Sequence, residues 1–411
     1  MKLVVVARAF WSDEGQANAT REVTRELVKL GVELLVVLHA DSHVDSLQEP
    51  VAQMSPVSID VKHNFIGQRT PLGYYNISRR AARVLESLRK DARSECLIHS
   101  HHFFPSAFIR RSEGSPQFFL TTIHGTVEGE VKRFKREMPI HPRELLYRPS
   151  LMGSMYRDRA LMRRSKGHFI ALSPSNAMEI VREGVPSSRV HFITNGVDSD
   201  VFKPCDHDEA RKQLGLPMDK QIVLTVNEIQ IRKGIHTLVR AAHRIVKEVP
   251  ETYFVIVGRT PPNALWYMSY LWRLLTKLNL HDYFRFTGFV PKEQLPLYLN
   301  SADIFALSSY AEGAPLVIPE AMACARVVVA TEGAAAGYLP TNLVVEDGDY
   351  EGLAHRISYY LLNEKQRRQS AEGLRQKAVI ELSWRRIAER TLALYRNVMA
   401  DNKHALNSIA R

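Results

Sequence analysis

Short apolar runs alternate along the chain with longer amphipathic segments of helical period. We predict strands at residues 3–7, 34–38, 57–61, 96–99, 118–123, 169–172, 190–193, 222–226, 253–257, 284–287, 304–307, 327–330 and 343–345. Strands that are separated by helical segments indicate βαβ units and parallel sheets. Nearly continuous apolar strands indicate sheets that are covered on both faces.

The strands fall into two sets, which predicts an α/β fold with two doubly wound domains. The change falls near Asn195, where an Asn-Gly turn is followed by Pro204, and such residues mark a turn or loop. We predict a first domain over residues 1–195 and a second over residues 196–384. An amphipathic segment at about residues 385–411 is expected to form a closing helix that packs back on the first domain.

The composition of the 411 residues is that of a globular protein, with 45% hydrophobic and 24% charged residues. No apolar run reaches the roughly 18 residues that a membrane-spanning helix requires, and the first strand is too short for a signal peptide. The three cysteines, Cys96, Cys205 and Cys324, have no metal-type spacing. We therefore expect a soluble cytoplasmic protein with free thiols.

The net charge of +11 predicts an anionic partner, such as a phosphorylated substrate, an anionic membrane or a nucleic acid. Residues 131–166 contain eleven lysines and arginines against three acidic residues, with apolar and aromatic side chains among them. This composition suits a segment that lies on anionic lipid, and a solvated basic helix pair explains it equally well. The acceptor- or membrane-contacting candidates are Lys132, Arg133, Lys135 and Arg136.

The strongest chemical signal lies where Glu312 on a predicted loop precedes Glu320 in a predicted helix. The loop follows the strand at residues 304–307, at the edge where open α/β sheets bind ligands. We place Pro315 in the first helical turn, so the free N–H groups there could accept a diphosphate and Glu320 could bind ribose hydroxyls. The local pattern gives equal weight to an alternative in which both glutamates only stabilise the helix.

This segment resembles the E-x7-E motif of retaining glycosyltransferases of group 1 (family 4), which have the GT-B fold. Other segments resemble the same family in the same order, at residues 173–176, 193–204, 226–234, 255–258, 286–290 and 383–384. The match covers nearly the whole chain. It implies two Rossmann-like domains that face a cleft, and transfer of a sugar from a nucleotide sugar without a metal.

The resemblance assigns most of the donor site to the second domain. Lys233 takes the position of the family's diphosphate lysine, and we favour this role over the alternative of a solvated basic pair with Arg232. Glu312 would face the donor sugar and the phosphates, Glu320 would bind ribose, and Val290 would line the base pocket through its backbone. The remaining donor-binding candidates are Gly15, Arg232, Gly258, Gly313, Pro315, Leu316 and Val317.

In the first domain, His124-Gly125 resembles the family's His-Gly pair, whose histidine contacts the donor sugar near the reacting carbon. We therefore expect His124, Lys233 and Glu312 to be catalytic. The loop around Gly15 resembles the family's glycine-rich loop, with a single glycine remaining. Histidines at positions 99, 101 and 102 could suggest a metal, but His99 and His101 share one face only if the strand continues past its predicted end. We expect no metal and no other cofactor.

Two departures from the family pattern affect these expectations. Glu228 stands where the family has an arginine on the diphosphate, and like charges 4 Å apart repel by about 4 kcal/mol at an effective dielectric constant near 20. Glu228 must therefore turn away, pair with Arg232 or Arg259, or mark altered or lost catalysis. The segment after Thr331 is also shorter than in the family, which predicts a different donor-sugar side of the pocket.

We expect a retaining hexosyltransferase that uses a UDP-sugar, or next a GDP-sugar, and a saccharide or lipid-linked acceptor. Its product would be a cell-surface polysaccharide or a glycolipid, made in the cytoplasm or on the inner membrane face. The alternative is a catalytically silent binding or partner protein of the same fold, for which Glu228 is the motive. The chain has no helix-turn-helix or aromatic-basic sheet motif, so we expect no nucleic-acid partner.

Overall fold

The computed structural model describes residues 1–7, 15–39, 56–58, 96–101, 118–125, 156, 159–160, 162–165 and 167–409. The chain divides into two compact units. Among the described residues, unit 1 comprises those up to Asn195 together with those from Trp384 onward, and unit 2 is Gly196–Ser383. The predicted acceptor- or membrane-contacting residues Lys132, Arg133, Lys135 and Arg136 lie outside the described residues.

In the described part of unit 1, seven parallel strands form one sheet. They are Lys2–Ala7 (β1), Glu33–His39 (β2), Pro56–Ser58 (β3), Cys96–His101 (β4), Phe118–Ile123 (β5), His168–Ala171 (β6) and Val190–Phe192 (β7). Their order in the sheet is β3-β2-β1-β4-β5-β6-β7. The direction of winding reverses between β1 and β4, which defines a doubly wound, Rossmann-like sheet.

Unit 2 contains a sheet of six parallel strands. They are Gln221–Val226 (β8), Thr252–Val257 (β9), Phe284–Gly288 (β10), Ile304–Leu307 (β11), Val327–Thr331 (β12) and Val344–Val345 (β13). Their order is β10-β9-β8-β11-β12-β13, so the winding reverses between β8 and β11. Two such sheets confirm the predicted α/β fold, and every predicted strand is present in its described part.

The strands are connected and covered by α-helices. Bounded within the described residues are the α-helices Gly15–Lys29 (α1), Pro174–Arg182 (α2), His207–Leu214 (α3), Ile235–Glu248 (α4), Leu265–Leu278 (α5), Leu295–Ser301 (α6), Val317–Ala323 (α7), Glu332–Ala335 (α8), Tyr350–Leu362 (α9), Glu364–Glu381 (α10) and Trp384–Ile409 (α11). Helix α4 illustrates the rule that forms them, because its buried Ile235, Leu238, Val239, Ala242 and Ile245 recur at helical spacing. The apolar stripe packs inward and the basic positions remain on the outer face.

Helix α11 closes unit 1, although it is the last element of the chain. It packs on α1 and on β5, and it buries Trp384, Ile387 and Tyr395. The amphipathic pattern of this segment explains the packing, since apolar residues lie on one face among basic ones. The end of the chain therefore contributes to the core of the unit in which the chain begins.

Candidate active site

The loops that follow three neighbouring strands of unit 2 meet at one edge of its sheet. Strand β8 leads to Glu228, β9 to Gly258 and β11 to Ser308. β8 lies between β9 and β11, at the point where the strand order reverses. The carboxyl ends of strands at such a point form the ligand-binding edge of open α/β sheets.

Lys233 ends a short 3-10 turn that is fixed to the loop after β11. The next residue, Gly234, has a φ of 63°, and a Cβ atom there would lie 1.9 Å from the carbonyl oxygen of Ser308. Only glycine permits this approach. The hydroxyl of Ser308 donates to the carbonyl of Gly234 at 2.9 Å, and the amide of Tyr310 donates to the carbonyl of Arg232 at 2.9 Å. These bonds bring Lys233 to the segment that carries Glu312.

Lys233 and Glu312 form an ion pair in which both side chains are largely buried. Nζ of Lys233 donates to Oε1 of Glu312 at 2.5 Å, and Nη1 of Arg232 lies 3.5 Å from the other carboxylate oxygen. The side chains of Lys233, Glu312 and Arg232 are 12%, 9% and 29% exposed. Two cations therefore surround one carboxylate at the edge where a ligand would bind.

The pKa values of this pair reflect burial and charge together. Burial acts to raise the pKa of Glu312, but the charges of Lys233 and Arg232 outweigh burial and hold that pKa below its ordinary value. Burial lowers the pKa of Lys233, and the charge of Glu312 opposes that shift. Both groups of the pair are therefore ionised, and the positive charge of Lys233 balances the negative charge of Glu312.

Glu228 does not stand as an isolated negative charge. Its Oε1 accepts a hydrogen bond from Nε of Arg259 at 2.8 Å, and its Oε2 accepts one from Nε2 of Gln230 at 2.8 Å. Of the alternatives that the sequence left open, pairing with Arg259 is the one found in the structure. The part that Gln230 plays could not be predicted from the sequence, because an amide within a loop gives no distinctive signal.

Glu320 lies in α7 and is 6% exposed. Burial raises the pKa of its carboxyl group to about 7, an effect that the charge of Lys292 partly offsets. A carboxyl group with this pKa is partly protonated at neutral pH, so it responds to any ligand that prefers one of its two states. This property is compatible with either a ribose contact or a purely structural role.

The structure corrects one expectation about this segment. Pro315 was expected in the first helical turn, but α7 begins at Val317 with Leu316 as its N-cap. The carbonyl of Leu316 accepts the first helical bond, from the amide of Glu320 at 3.1 Å, and Pro315 therefore lies before the helix. Gly313, Pro315, Leu316 and Val317 are all half-buried on the approach to the helix.

The remaining donor-site candidates occupy three places. Gly258 has a φ of 146°, and a Cβ atom there would lie 1.8 Å from the carbonyl oxygen of Asn227, so the close approach of the two loops requires glycine. Val290 is half-buried after β10. Gly15 is the first residue of α1 in unit 1, and the loop before it lies outside the described residues.

A cluster of histidines lies at the carboxyl edge of the unit 1 sheet. Strand β4 continues to His101, two residues past the predicted end, because His101 pairs with Thr122 on β5. Nδ1 of His101 lies 3.2 Å from Nε2 of His124. His99 is hydrogen-bonded through Nδ1 to the hydroxyl of Tyr395 at 2.6 Å and through Nε2 to the hydroxyl of Thr122 at 2.7 Å.

The two inner histidines of this cluster are neutral. Burial, followed by the charge of His124, lowers the pKa of His99 to about 3. Burial, followed by the charge of His99, also lowers the pKa of His101 well below its ordinary value. The cluster lines a cavity of about 30 Å³. Within the described residues, Nε2 of His101 has no hydrogen-bond partner. His124 is thereby held by a neutral, buried neighbour.

The described residues contain neither a metal-binding cluster nor a membrane-spanning helix. No group of three or more histidine, cysteine, aspartate or glutamate side chains with metal-binding geometry occurs there. In the same part of the chain, no helix combines the length and apolar character that crossing a membrane requires.

Comparison with known proteins gives the family. The model of glycosyltransferase family 4 matches residues 14–201, and that of glycosyl transferases group 1 matches residues 206–377. The chain is 26% identical over 403 residues to a D-inositol 3-phosphate glycosyltransferase of Streptosporangium roseum, which covers 93% of this chain and 88% of that protein. Two other relatives named for this activity match at 36% and 35% identity, but the chain spans only 39% and 49% of their lengths.

Solved structures agree on the fold. Sucrose-phosphate synthase from Thermosynechococcus elongatus superposes with a TM-score of 0.79 at 20% identity and covers 98% of this chain and 100% of that chain. HepE of Anabaena in complex with UDP-glucose gives a TM-score of 0.68 at 18% identity and covers 99% of this chain and 100% of that chain. The two family models together match most of the chain, which therefore belongs to the group 1 glycosyltransferases and has the GT-B fold.

Proposed function

We propose that the protein transfers a hexosyl unit from a nucleotide sugar to a hydroxyl group of a saccharide or lipid-linked acceptor, with retention of the anomeric configuration. A UDP-sugar is the favoured donor and a GDP-sugar the next. The observation that carries the proposal is the cluster of Lys233 and Arg232 around Glu312, at the carboxyl edge of the unit 2 sheet. The presence of UDP-glucose in a structure of the same fold supports the choice of donor.

The proposed reaction breaks the bond between the anomeric carbon and the phosphate oxygen of the donor. The acceptor oxygen forms the new bond on the same face of the sugar, and its proton passes to the departing diphosphate. Lys233 stabilises the negative charge that develops on the diphosphate, and His124 stabilises the oxocarbenium-like sugar. Glu312 faces the donor sugar and the phosphates, and the buried carboxyl group of Glu320 binds the ribose.

We further propose that the reaction needs no metal ion. Lys233 and Arg232 would supply the positive charge that a magnesium ion supplies at other diphosphate sites. A lysine is a compact point charge that suits phosphate, and an arginine can bind two of its oxygens. Activity should therefore persist after treatment with EDTA, whereas a loss that magnesium restores would refute this part of the proposal.

The catalytically silent alternative was motivated by Glu228. The pairing of its carboxylate with Arg259 weakens that motive, because the negative charge near the expected diphosphate is balanced. We therefore keep active glycosyl transfer as the one proposed function. Synthesis of a cell-surface glycan or glycolipid at the inner membrane face stays part of the same proposal.

The test is to incubate the purified protein with UDP- and GDP-hexoses and to measure the release of nucleoside diphosphate. The slow transfer of the sugar to water suffices, and proton NMR of the released sugar gives its anomeric configuration. We expect release from one donor with retention, and a loss of at least about 100-fold in Lys233→Ala. Lys277→Ala, on the exposed face of α5, is the matched control. No release by the wild type, or equal release by Lys233→Ala, would contradict the proposal.

A further inference from the structure

Arg259 is brought to the candidate site by two loops that remain paired beyond the ends of their strands. After β8 and β9, the amide of Asn227 donates to the carbonyl of Val257 at 2.8 Å, and the amide of Ile229 donates to the carbonyl of Arg259 at 2.9 Å. The close contact at Gly258 fixes the same pair of loops. The backbone of Arg259 is thus anchored beside the loop that leads to Lys233.

The side chain of Arg259 is oriented by a hydrogen bond from one of its three nitrogens. Its Nε donates to Oε1 of Glu228, and within the described residues no further partner is found for its two terminal nitrogens. The side chain of Arg259 is 63% exposed and that of Glu228 is 33% exposed. An exposed pair of this kind contributes little to stability, so stability alone gives little reason for its geometry.

Glu228 connects Arg259 to the buried cations through a continuous series of contacts. Nε2 of Gln230 donates to Oε2 of Glu228 at 2.8 Å, and Nε of Arg232 lies 3.4 Å from Oε1 of Gln230. Arg232 in turn lies against Glu312, which holds Lys233. The charge of Glu228 also acts on the pKa of Lys233, which places the two groups in one electrostatic environment.

The charges of this series explain why another cation is needed. Lys233 and Arg232 already share the carboxylate of Glu312, and together the three carry a net charge of only about +1. A donor diphosphate brings one ionised oxygen on each of its two phosphates. Arg259 is the member of the series whose donors remain available, and a guanidinium group matches two phosphate oxygens with its paired N–H groups.

We propose that Arg259 binds a phosphate group of the donor through its terminal nitrogens, and that Glu228 is a positioning residue that holds the guanidinium group by Nε. This inference rests on the proposed function, because it assigns one more residue to the same donor site. Glu228 then orients a cation from the neighbouring strand, and its negative charge is not an obstacle to donor binding.

The test is calorimetric titration of UDP and, separately, of uridine into the full chain and its variants. If the wild type binds GDP and not UDP, GDP and guanosine replace them. We expect Arg259→Ala to weaken the binding of UDP about 10- to 100-fold, as for the loss of charge-assisted hydrogen bonds, and to leave uridine unchanged. Arg259→Lys should restore only part of the affinity, because a lysine lacks the paired donors.

The matched control is Arg244→Ala, which removes one positive charge from another exposed ion pair of unit 2, with Glu351. It should change neither affinity. Because both arginines are exposed, the thermal midpoints of the two variants should equal that of the wild type. An equal loss of UDP affinity in Arg259→Ala and Arg244→Ala would mean that the loss follows from the change in net charge alone, and it would overturn the proposal.

Variants at Glu228 distinguish a role in positioning Arg259 from simple repulsion of the donor phosphate. We expect Glu228→Ala to weaken UDP binding several-fold although it removes a negative charge, and Glu228→Gln, whose oxygen still accepts from Nε of Arg259, to retain most of the affinity. Tighter binding of UDP by Glu228→Ala would overturn the positioning role. Wild-type binding of UDP that Arg259→Ala does not weaken would overturn this inference alone, whereas a wild type that binds no nucleoside diphosphate would refute the proposed function itself.

Discussion

Nζ of Lys233 and Oε1 of Glu312 lie 2.5 Å apart, although the two residues are 79 positions apart in the sequence. The 3-10 turn after β8 and the loop after β11 bring them together at the ligand-binding edge of the unit 2 sheet. A donor diphosphate that uses Lys233 must therefore share it with a carboxylate that is already in place. This relationship gives Glu312 two opposed effects, one on binding and one on chemistry.

The opposed effects predict the behaviour of Glu312→Gln. Removal of the negative charge leaves Lys233 and Arg232 free for the diphosphate, so UDP should bind several-fold more tightly. Turnover should fall at least 10-fold, because Glu312 is proposed to face the donor sugar. Calorimetry and the rate of UDP release measure the two effects on the same sample. Weaker binding of UDP would contradict the competition between the phosphate and Glu312.

The raised pKa of Glu320 predicts a pH dependence of nucleoside binding. A ribose hydroxyl donates to the ionised carboxylate, so binding favours that form and lowers a pKa that is about 7 in the free protein. Below pH 7 a proton must be released on binding, and the affinity should fall by up to about 10-fold per pH unit. Uridine is the right probe, because its lack of a phosphate removes the ligand's own titration in this range.

The matched variant is Glu320→Gln, which cannot ionise. Its affinity for uridine should be independent of pH between 6 and 8 and lower than that of the wild type at pH 8. If the wild type and Glu320→Gln have the same pH profile, Glu320 is a structural residue of α7 and does not contact the ribose.

The strands could be predicted because each is a short apolar run between amphipathic segments, and that pattern is local. The sequence also placed Lys233, Glu312 and Glu320 on loops and a helix at the carboxyl edge of one sheet. Two element boundaries in the structure differ from the predicted ones. β4 continues through Ser100 to His101, where polar residues at a sheet edge resemble a loop, and the helix after Pro315 begins two residues later.

The partners of the polar groups could not be predicted, because they depend on how distant elements pack. His99 binds the hydroxyl of Tyr395, which is 296 positions away, and no periodic pattern connects them. Arg259 was one of two possible partners for Glu228, the other being Arg232, and only the paired loops after β8 and β9 select it. The basic segment at residues 131–166 lies largely outside the described residues, and its role stays a prediction.

The buried histidines predict that the two units differ in their sensitivity to acid. His99 in unit 1 has a folded-state pKa of about 3 against 6.5 in the unfolded chain. Between pH 6.5 and pH 3 the unfolded state binds one proton more than the folded state. The contribution of neutral His99 to the free energy of unfolding is therefore complete above pH 6.5 and is lost as the pH falls. The loss is about 1.4 kcal/mol per pH unit. The lowered pKa of His101 acts in the same direction.

In unit 2 two shifts oppose each other. His236 has a folded-state pKa of about 3, but Glu320, with a pKa of about 7 against 4.5, stabilises the folded state as the pH falls from 7 to 4.5. Between pH 6.5 and 5, the free energy of opening should therefore fall more for β5 than for β8. Hydrogen exchange at the amides of these strands measures both. A larger fall at β8 would contradict the conclusion that His99 and His101 are buried in the neutral form.

The buried ion pair of Arg211 and Asp303 predicts a large effect on the stability of unit 2. Nη2 of Arg211 lies 2.7 Å from Oδ2 of Asp303, and the same oxygen accepts from the amide of Ile222 at 2.7 Å. Asp303→Ala leaves the 3% exposed Arg211 without its counter-charge and should cost about 3–5 kcal/mol of the free energy of unfolding.

Urea unfolding measures this cost, and Asp208→Ala is the control. The side chain of Asp208 is 69% exposed beside His207, so its removal should change the free energy of unfolding by less than about 0.5 kcal/mol. Equal effects of the two substitutions would mean that Asp303 is not the structural counter-ion of Arg211.

Calorimetric titration with UDP, GDP and ADP in the presence of EDTA asks whether the carboxyl edge of the unit 2 sheet binds the nucleotide of a sugar donor without a metal. We expect binding of one of these nucleotides, UDP first, that added magnesium does not strengthen and that Lys233→Ala and Glu320→Ala both weaken. Binding of none of them, or binding that neither substitution changes, would contradict this expectation.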